Sequence, residues 1–271
     1  MSDRSLLHRV KIVGDSPPER FVVFLHGILG SGANWAGFAR RLVEARPDLG
    51  ALLVDLRLHG RSASGSPPHT VHAAALDVVH ALAEEGIDPI AVSGHSFGSK
   101  VAFLVAEELA TPPETIWLLD ADPGVRPAGA GRSLVLRVIA ALRELPRRFE
   151  SREAFTEQLV ARGFAGSLAG WLGKNLVRVS DELHLEIDLD AIEEILEDFH
   201  SVDLWPRLEA GHPPVHAVVG GRSDVLSAGA RERLEHASQA EILTLHELPT
   251  AGHWVHIDAP KGLLEAFLTV L

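Results

Sequence analysis

The stretch Pro89-Ile90-Ala91-Val92-Ser93-Gly94-His95-Ser96-Phe97-Gly98 carries the strongest structural signal in the chain. Residues 89–93 form a short apolar run, which reads as a strand of a parallel sheet buried on both faces. Residues 99–109 have helix-forming composition, so G-x-S-x-G falls at a strand-to-helix turn. Its glycines permit a strained turn that lifts the serine hydroxyl above the sheet edge, over the N-terminus of the helix. Ser96 is therefore the candidate nucleophile.

Comparable apolar runs occupy residues 21–25, 51–56, 115–119, 215–219 and 241–248, with helical patterns at 34–46 and 69–85. Alternating strands and helices predict an α/β fold, a mostly parallel central sheet flanked by helices with its ligand crevice at the carboxyl ends of the strands. The alternation stops near Val125 and resumes near Pro214. Between them the patterns are helical, at 133–149, 153–162, 168–179 and 190–200, the last with a capping-box-like Asp190/Glu193 start. The expected organisation is a core of residues 1–124 and 211–271 with an inserted helical cap, 125–210. The cap's charge is split: residues 126–178 hold ten basic and four acidic side chains, residues 181–209 one basic and eleven acidic. Two solvated helix faces that attract one another are the expected reading, with a ligand-steering role as the alternative.

Composition narrows the chemistry. A net charge of −12 over 271 residues argues against a nucleic-acid partner. Cysteine is absent, which excludes disulfides, thiolate metal sites and a Cys nucleophile. The first fourteen residues carry charges throughout and lack the apolar region of a secretory signal. No apolar run reaches membrane-spanning length. The expectation is a cytoplasmic protein without membrane insertion. His69-x-x-His72 has helical spacing but no third ligand nearby in sequence, so neither a metal nor a cofactor is expected.

A serine hydroxyl needs a positioned base. After the run ending at Leu248 comes Pro249-Thr250-Ala251-Gly252-His253-Trp254-Val255-His256, and a histidine on the loop after the final strand can reach over the sheet edge. His253 is the expected base; His256, three residues on, points into the first turn of the last helix. The orienting carboxylate has two candidates at strand ends. Asp224, after the strand ending at Val219, is the expected acid, and Asp120, closing strand 115–119, is the alternative. The loop His26-Gly27-Ile28-Leu29-Gly30 follows the first apolar run, so the N–H groups of Ile28 and Phe97 are the expected oxyanion donors, with His26 bracing the loop. Residues 55–62 read as a scaffold turn.

With H-G-x-x-G-S-x-x-N-W at 26–35, D-x-R-x-H-G-x-S at 55–62, G-H-S-x-G at 94–98 and A-G-H-W at 251–254, the chain resembles the α/β-hydrolases, and among them small intracellular acyl esterases and thioesterases. The resemblance implies the α/β-hydrolase fold and cofactor-free cleavage of a small-molecule ester or thioester through an acyl-enzyme on Ser96. In some esterases of this kind the acid lies on the strand after the nucleophile helix, which here means Asp120. Relatives also suggest two other readings: a triad-dependent C–C bond hydrolase, or a non-catalytic binding protein on the same fold. Apolar cap residues such as Leu134, Val138, Ile139, Phe164 and Trp171 are expected to line an apolar pocket suited to short or medium acyl groups. Arg143, Arg147, Arg148 and Arg152 form a basic cluster that would hold an anionic leaving group if it bordered the pocket mouth.

Overall fold

A computed structural model describes residues 7–62, 64–126 and 134–271. In chain order, β1 (Arg9–Ile12), β2 (Arg20–Leu25), α1 (Ala36–Ala45), β3 (Leu49–Val54), α2 (Val71–Glu85), β4 (Pro89–His95), α3 (Phe97–Glu108) and β5 (Thr115–Leu119) build the first part of the molecule. Then come α4 (Leu134–Glu144), β6 (Arg148–Phe149), α5 (Arg152–Ala161), α6 (Gly166–Leu172), β7 (Leu176–Val179), β8 (Glu182–Leu185), α7 (Leu189–Ser201) and α8 (Trp205–Ala210). The chain returns through β9 (Val215–Gly220), α9 (Ala228–Gln239) and β10 (Thr244–Leu248) to α10 (Val255–Asp258) and α11 (Pro260–Val270).

Seven strands form one sheet in the order β1-β3-β2-β4-β5-β9-β10, parallel except for the antiparallel edge pairing of β1 with β3. The period-2 geometry of a strand explains why its sequences run apolar without a break. In β2, Val23 and Leu25 join the core beneath α2 and α3, while Val22 and Phe24 join the opposite core beneath α1 and α11. In β5, Ile116 and Leu118 divide from Trp117 and Leu119 in the same way, and Trp117 stacks on Phe267 at 4.0 Å. Strand β1 escapes the sequence reading because its RVKI is half-exposed and charged, as an edge strand tolerates.

The insertion between β5 and β9 is not purely helical. Residues 168–179, expected as one helix, divide into α6, a 3₁₀ turn and β7, and β6-β8-β7 make a small antiparallel sheet. Leu-Val-Arg-Val is a β-branched alternating segment, and four residues of it are too few to separate from a helical stripe without the partner strand. The cap of α7 also differs from expectation: Asp188, not Asp190, accepts from the N–H of Ala191 at 3.1 Å. Asp190 and Glu193 instead pair with Arg143 of α4, so the two oppositely charged faces do meet. Apolar residues of the insertion, Phe155, Leu168 and Ile195 among them, belong to the core that lies beneath α2 and α3.

Candidate active site

The elbow between β4 and α3 is built by steric necessity. A Cβ on Gly94 would lie 1.9 Å from the carbonyl oxygen of Gly98, and one on Gly98 would lie 2.6 Å from that of His26. Neither position accepts a side chain, because the obstruction is backbone. Ser96 between them takes φ 52° and ψ −116°, a conformation that L-residues adopt only when the surroundings enforce it. Three hydrogen bonds do so. Ser96 N–H donates to Leu119 O at 2.9 Å, and Ser99 Oγ donates to Gly94 O at 2.7 Å while accepting from Leu119 N–H at 3.1 Å.

His253 stands on the loop after β10, and its Nδ1–H donates to Asp120 Oδ2 at 2.7 Å. Asp120 is fully buried, with Gly220 N–H on Oδ1 at 2.9 Å and Ser223 Oγ on Oδ2 at 2.5 Å. The expected acid, Asp224, is exposed and makes no hydrogen bond to the imidazole; Asp120 takes that position. Asp120 directly follows the last residue of β5 and is buried, whereas Asp224 lies beyond the end of β9 on an exposed part of its loop. Strand β5 lies directly beside β4, so its carboxyl end is next to Ser96, whereas β9 is one strand further out. The β9 loop still contributes, since it supplies Ser223 and the Gly220 N–H that hold the Asp120 carboxylate.

The proposed oxyanion donors lie close by. A Cβ on Gly27 would meet Ser96 Cβ at 3.4 Å, so the backbone entering Ile28 passes beside the nucleophile candidate. Phe97 is the first residue of α3, and the leading N–H groups of a helix lack intrahelical acceptors. Among the described residues neither Ile28 nor Phe97 donates its N–H in a turn, loop or cap hydrogen bond.

A set of buried histidines surrounds these groups, and composition alone does not reveal it. His26 donates from Nδ1 to Gly27 O at 2.8 Å and accepts at Nε2 from Leu56 N–H at 3.0 Å, bracing two loops as expected. His95 donates from Nε2 to His253 O at 2.8 Å, which anchors the backbone of the base candidate over the elbow. His256 stacks on Trp35 with ring centroids 4.3 Å apart, and His59 packs against His26 and Phe97. Burial holds the pKa of His26 at about 4, those of His59 and His256 at about 3, and that of His95 well below its ordinary value.

All four are neutral in the folded state and titrate near 6.5 when unfolded. Between those values the unfolded chain binds more protons, so stability is complete above about pH 6.5 and is lost as pH falls towards 4. Each such group contributes a slope of about 1.4 kcal/mol per pH unit in that window. The expected result is a Tm that drops steeply from pH 6.5 to 4.5. His256→Phe, which keeps an aromatic face on Trp35, should flatten the profile; an unchanged slope would contradict the assignment.

Two cavities meet at Ser96 and His253. One, of about 80 Å³, is apolar and is walled by Leu29, Val138, Leu168, Trp171 and Leu172. The other, of about 920 Å³, is more polar and includes Asp122, Arg126, Arg222 and Asp224. The insertion supplies α4 and α6 to the first and α4 and α7 to the second. The basic cluster expected at the mouth lies elsewhere. Arg143 is engaged by Asp190 and Glu193, Arg148 by Glu182, while Arg147 and Arg152 donate to backbone carbonyls of the insertion. Lys100, not singled out by sequence, ties α3 to the insertion: its Nζ donates to the carbonyls of Gly124, Phe199 and Val202, and burial lowers its pKa to about 8.

A family profile described as "Alpha/beta hydrolase family" matches residues 22–266. Among curated proteins, the chain is similar to the sn-1-specific diacylglycerol lipase ABHD11 of Mus musculus, 29% identical over 92% of this chain and 80% of that one. It is also similar to Esterase YbfF of Escherichia coli, 26% identical over 90% of each chain. Among solved structures, one titled "Marine microorganism esterase" superposes with a TM-score of 0.81 at 24% identity, covering 98% of this chain and 99% of the other. Among the described residues no helix is long and apolar enough to cross a membrane.

Proposed function

We propose that this chain, which belongs to the alpha/beta hydrolase family, cleaves carboxylic esters or thioesters through an acyl-enzyme on Ser96. The observation that carries this reading is the hydrogen bond from His253 Nδ1–H to the buried Asp120, made on the loop that faces the strained Ser96 turn. Asp120 accepts from Nδ1–H and so fixes the imidazole tautomer that leaves Nε2 free to take a proton. In the first half-reaction His253 removes the hydroxyl proton as Ser96 attacks the carbonyl carbon. The N–H groups of Ile28 and Phe97 receive the charge that develops on oxygen. His253 then gives its proton to the departing alcohol or thiol. Water, deprotonated by the same imidazole, attacks the acyl carbon, and the Ser96 Oγ–acyl bond breaks as His253 returns the proton to Ser96 Oγ and the acid leaves. His95 acts as a positioning residue through the backbone of His253. The curated relatives named as a lipase and an esterase fit this reaction class.

The small apolar cavity takes the acyl group and the wide cleft takes the alcohol or thiol, with residues 125–210 acting as the lid over both. Scanning p-nitrophenyl esters and matched thioesters from acetyl to dodecanoyl tests this division. Acyl groups of two to about six carbons should give the highest kcat/KM, with a fall of about tenfold or more by twelve carbons, because extra methylenes no longer find apolar walls. A rate that rises steadily with chain length would reverse the assignment of the two cavities.

A further inference from the structure

A third cavity, of about 670 Å³, lies between β1, the loop after β2 and strand β7, and shares no lining residue with the two cavities at Ser96. It is basic in a chain that is strongly acidic. Arg40, Arg61, Lys174 and Arg178 line it, are exposed, and have no carboxylate partner among the described residues. Elsewhere Arg9, Arg46, Arg57, Arg143 and Arg207 pair with carboxylates, and Lys100, Arg126, Arg147 and Arg231 donate to backbone carbonyls. With Asp and Glu in excess over Lys and Arg, four unpaired cations gathered in one groove are not a consequence of scarcity. Asp55, the carboxylate in the lining, is buried and spent on the N–H groups of Gly32 and Arg61 at 2.7 and 2.8 Å.

We propose that this groove binds an organic ligand carrying two or more phosphate groups. Guanidinium forks match phosphate oxygens in geometry as well as charge, and four cations along one groove exceed what a single carboxylate would neutralise. Val10, Ile12, Leu176 and Val177 add apolar wall for the organic part, and the volume lies in the range of small-molecule sites. The groove is independent of the ester-cleaving reading. Its floor nevertheless touches the catalytic cleft's wall, since Asn175 donates from Nδ2 to Leu29 O at 2.8 Å and to Leu172 O at 3.2 Å.

Calorimetric titration of the intact chain with inorganic pyrophosphate, ADP and orthophosphate at physiological salt tests the proposal. Pyrophosphate and ADP should bind saturably and more tightly than orthophosphate. The exposed double variant Arg61→Gln/Arg178→Gln should weaken both by about tenfold or more, while Ser96→Ala binds as the wild type does. No saturable pyrophosphate binding, an unchanged affinity in the double variant, or loss of binding in Ser96→Ala would each overturn it. Binding to phosphatidylserine vesicles without binding to pyrophosphate would also overturn it, in favour of a lipid surface.

Discussion

Ser96→Ala should lower kcat on p-nitrophenyl acetate by about 10⁶ while leaving Tm close to that of the wild type, a loss of the size seen when the nucleophile of a serine protease triad is removed. The kinetic part follows from chemistry: without the hydroxyl no acyl-enzyme forms, and only the oxyanion donors and substrate positioning remain to assist water. The stability part follows from the turn. The positive φ at position 96 is enforced by Gly94, Gly98, Ser99 and Leu119, and alanine meets the same backbone penalty as serine. Activity within tenfold of wild type would remove Ser96 from the mechanism.

Asp120→Asn should lower kcat by about 10⁴, the size of loss known for the equivalent substitution in a protease triad, and Asp224→Asn by no more than about twofold. An asparagine at 120 remains held by Ser223 and Gly220, so the packing survives, but its amide can present N–H to His253. That favours the tautomer with the proton on Nε2, which cannot accept one from serine. Asp224 lines the wide cleft without touching the imidazole, so its removal should alter KM for some alcohol groups more than kcat. Steady-state kinetics of the two variants on one ester, with Tm measured alongside, make the comparison. The opposite ranking would return the acid to Asp224.

These two residues also mark what can be read from sequence and what cannot. Ser96 is legible because its glycine neighbours answer to a local steric demand, which a pentapeptide states in full. His253 is legible because its place after the final strand is a matter of chain order. Choosing between Asp120 and Asp224 is different, since both close apolar strands and both precede the histidine. What separates them is where each carboxylate lies in space: Asp120 is buried 2.7 Å from His253 Nδ1 while Asp224 is exposed, and such long-range placement is not encoded in the alternation of elements. The strands of the insertion were hidden for a related reason: β6, β7 and β8 are two to four residues long, and their apolar positions become a sheet face only when paired. His59, His95 and His256 look polar in sequence yet are buried, and nothing in their spacing distinguishes them from surface histidines.

The arginines show the same limit for electrostatics. Charge counts along 126–209 point to two attracting faces, and Arg143 of α4 meets Asp190 and Glu193 of α7. They could not show that Arg147 and Arg152 are consumed by backbone carbonyls, nor that Arg40 and Arg61 from the core would meet Lys174 and Arg178 of the insertion in one groove.

In the proposed reaction the strained serine forms the covalent intermediate with His253 held by Asp120. That step is tested most directly by treating the wild type, Ser96→Ala and Asp120→Asn with a fluorophosphonate and mapping the adduct by peptide mass. The expected result is a single adduct on Ser96 in the wild type, none in Ser96→Ala, and labelling of the same serine at a greatly reduced rate in Asp120→Asn. An adduct on any other residue, or equal labelling of wild type and Ser96→Ala, would contradict it.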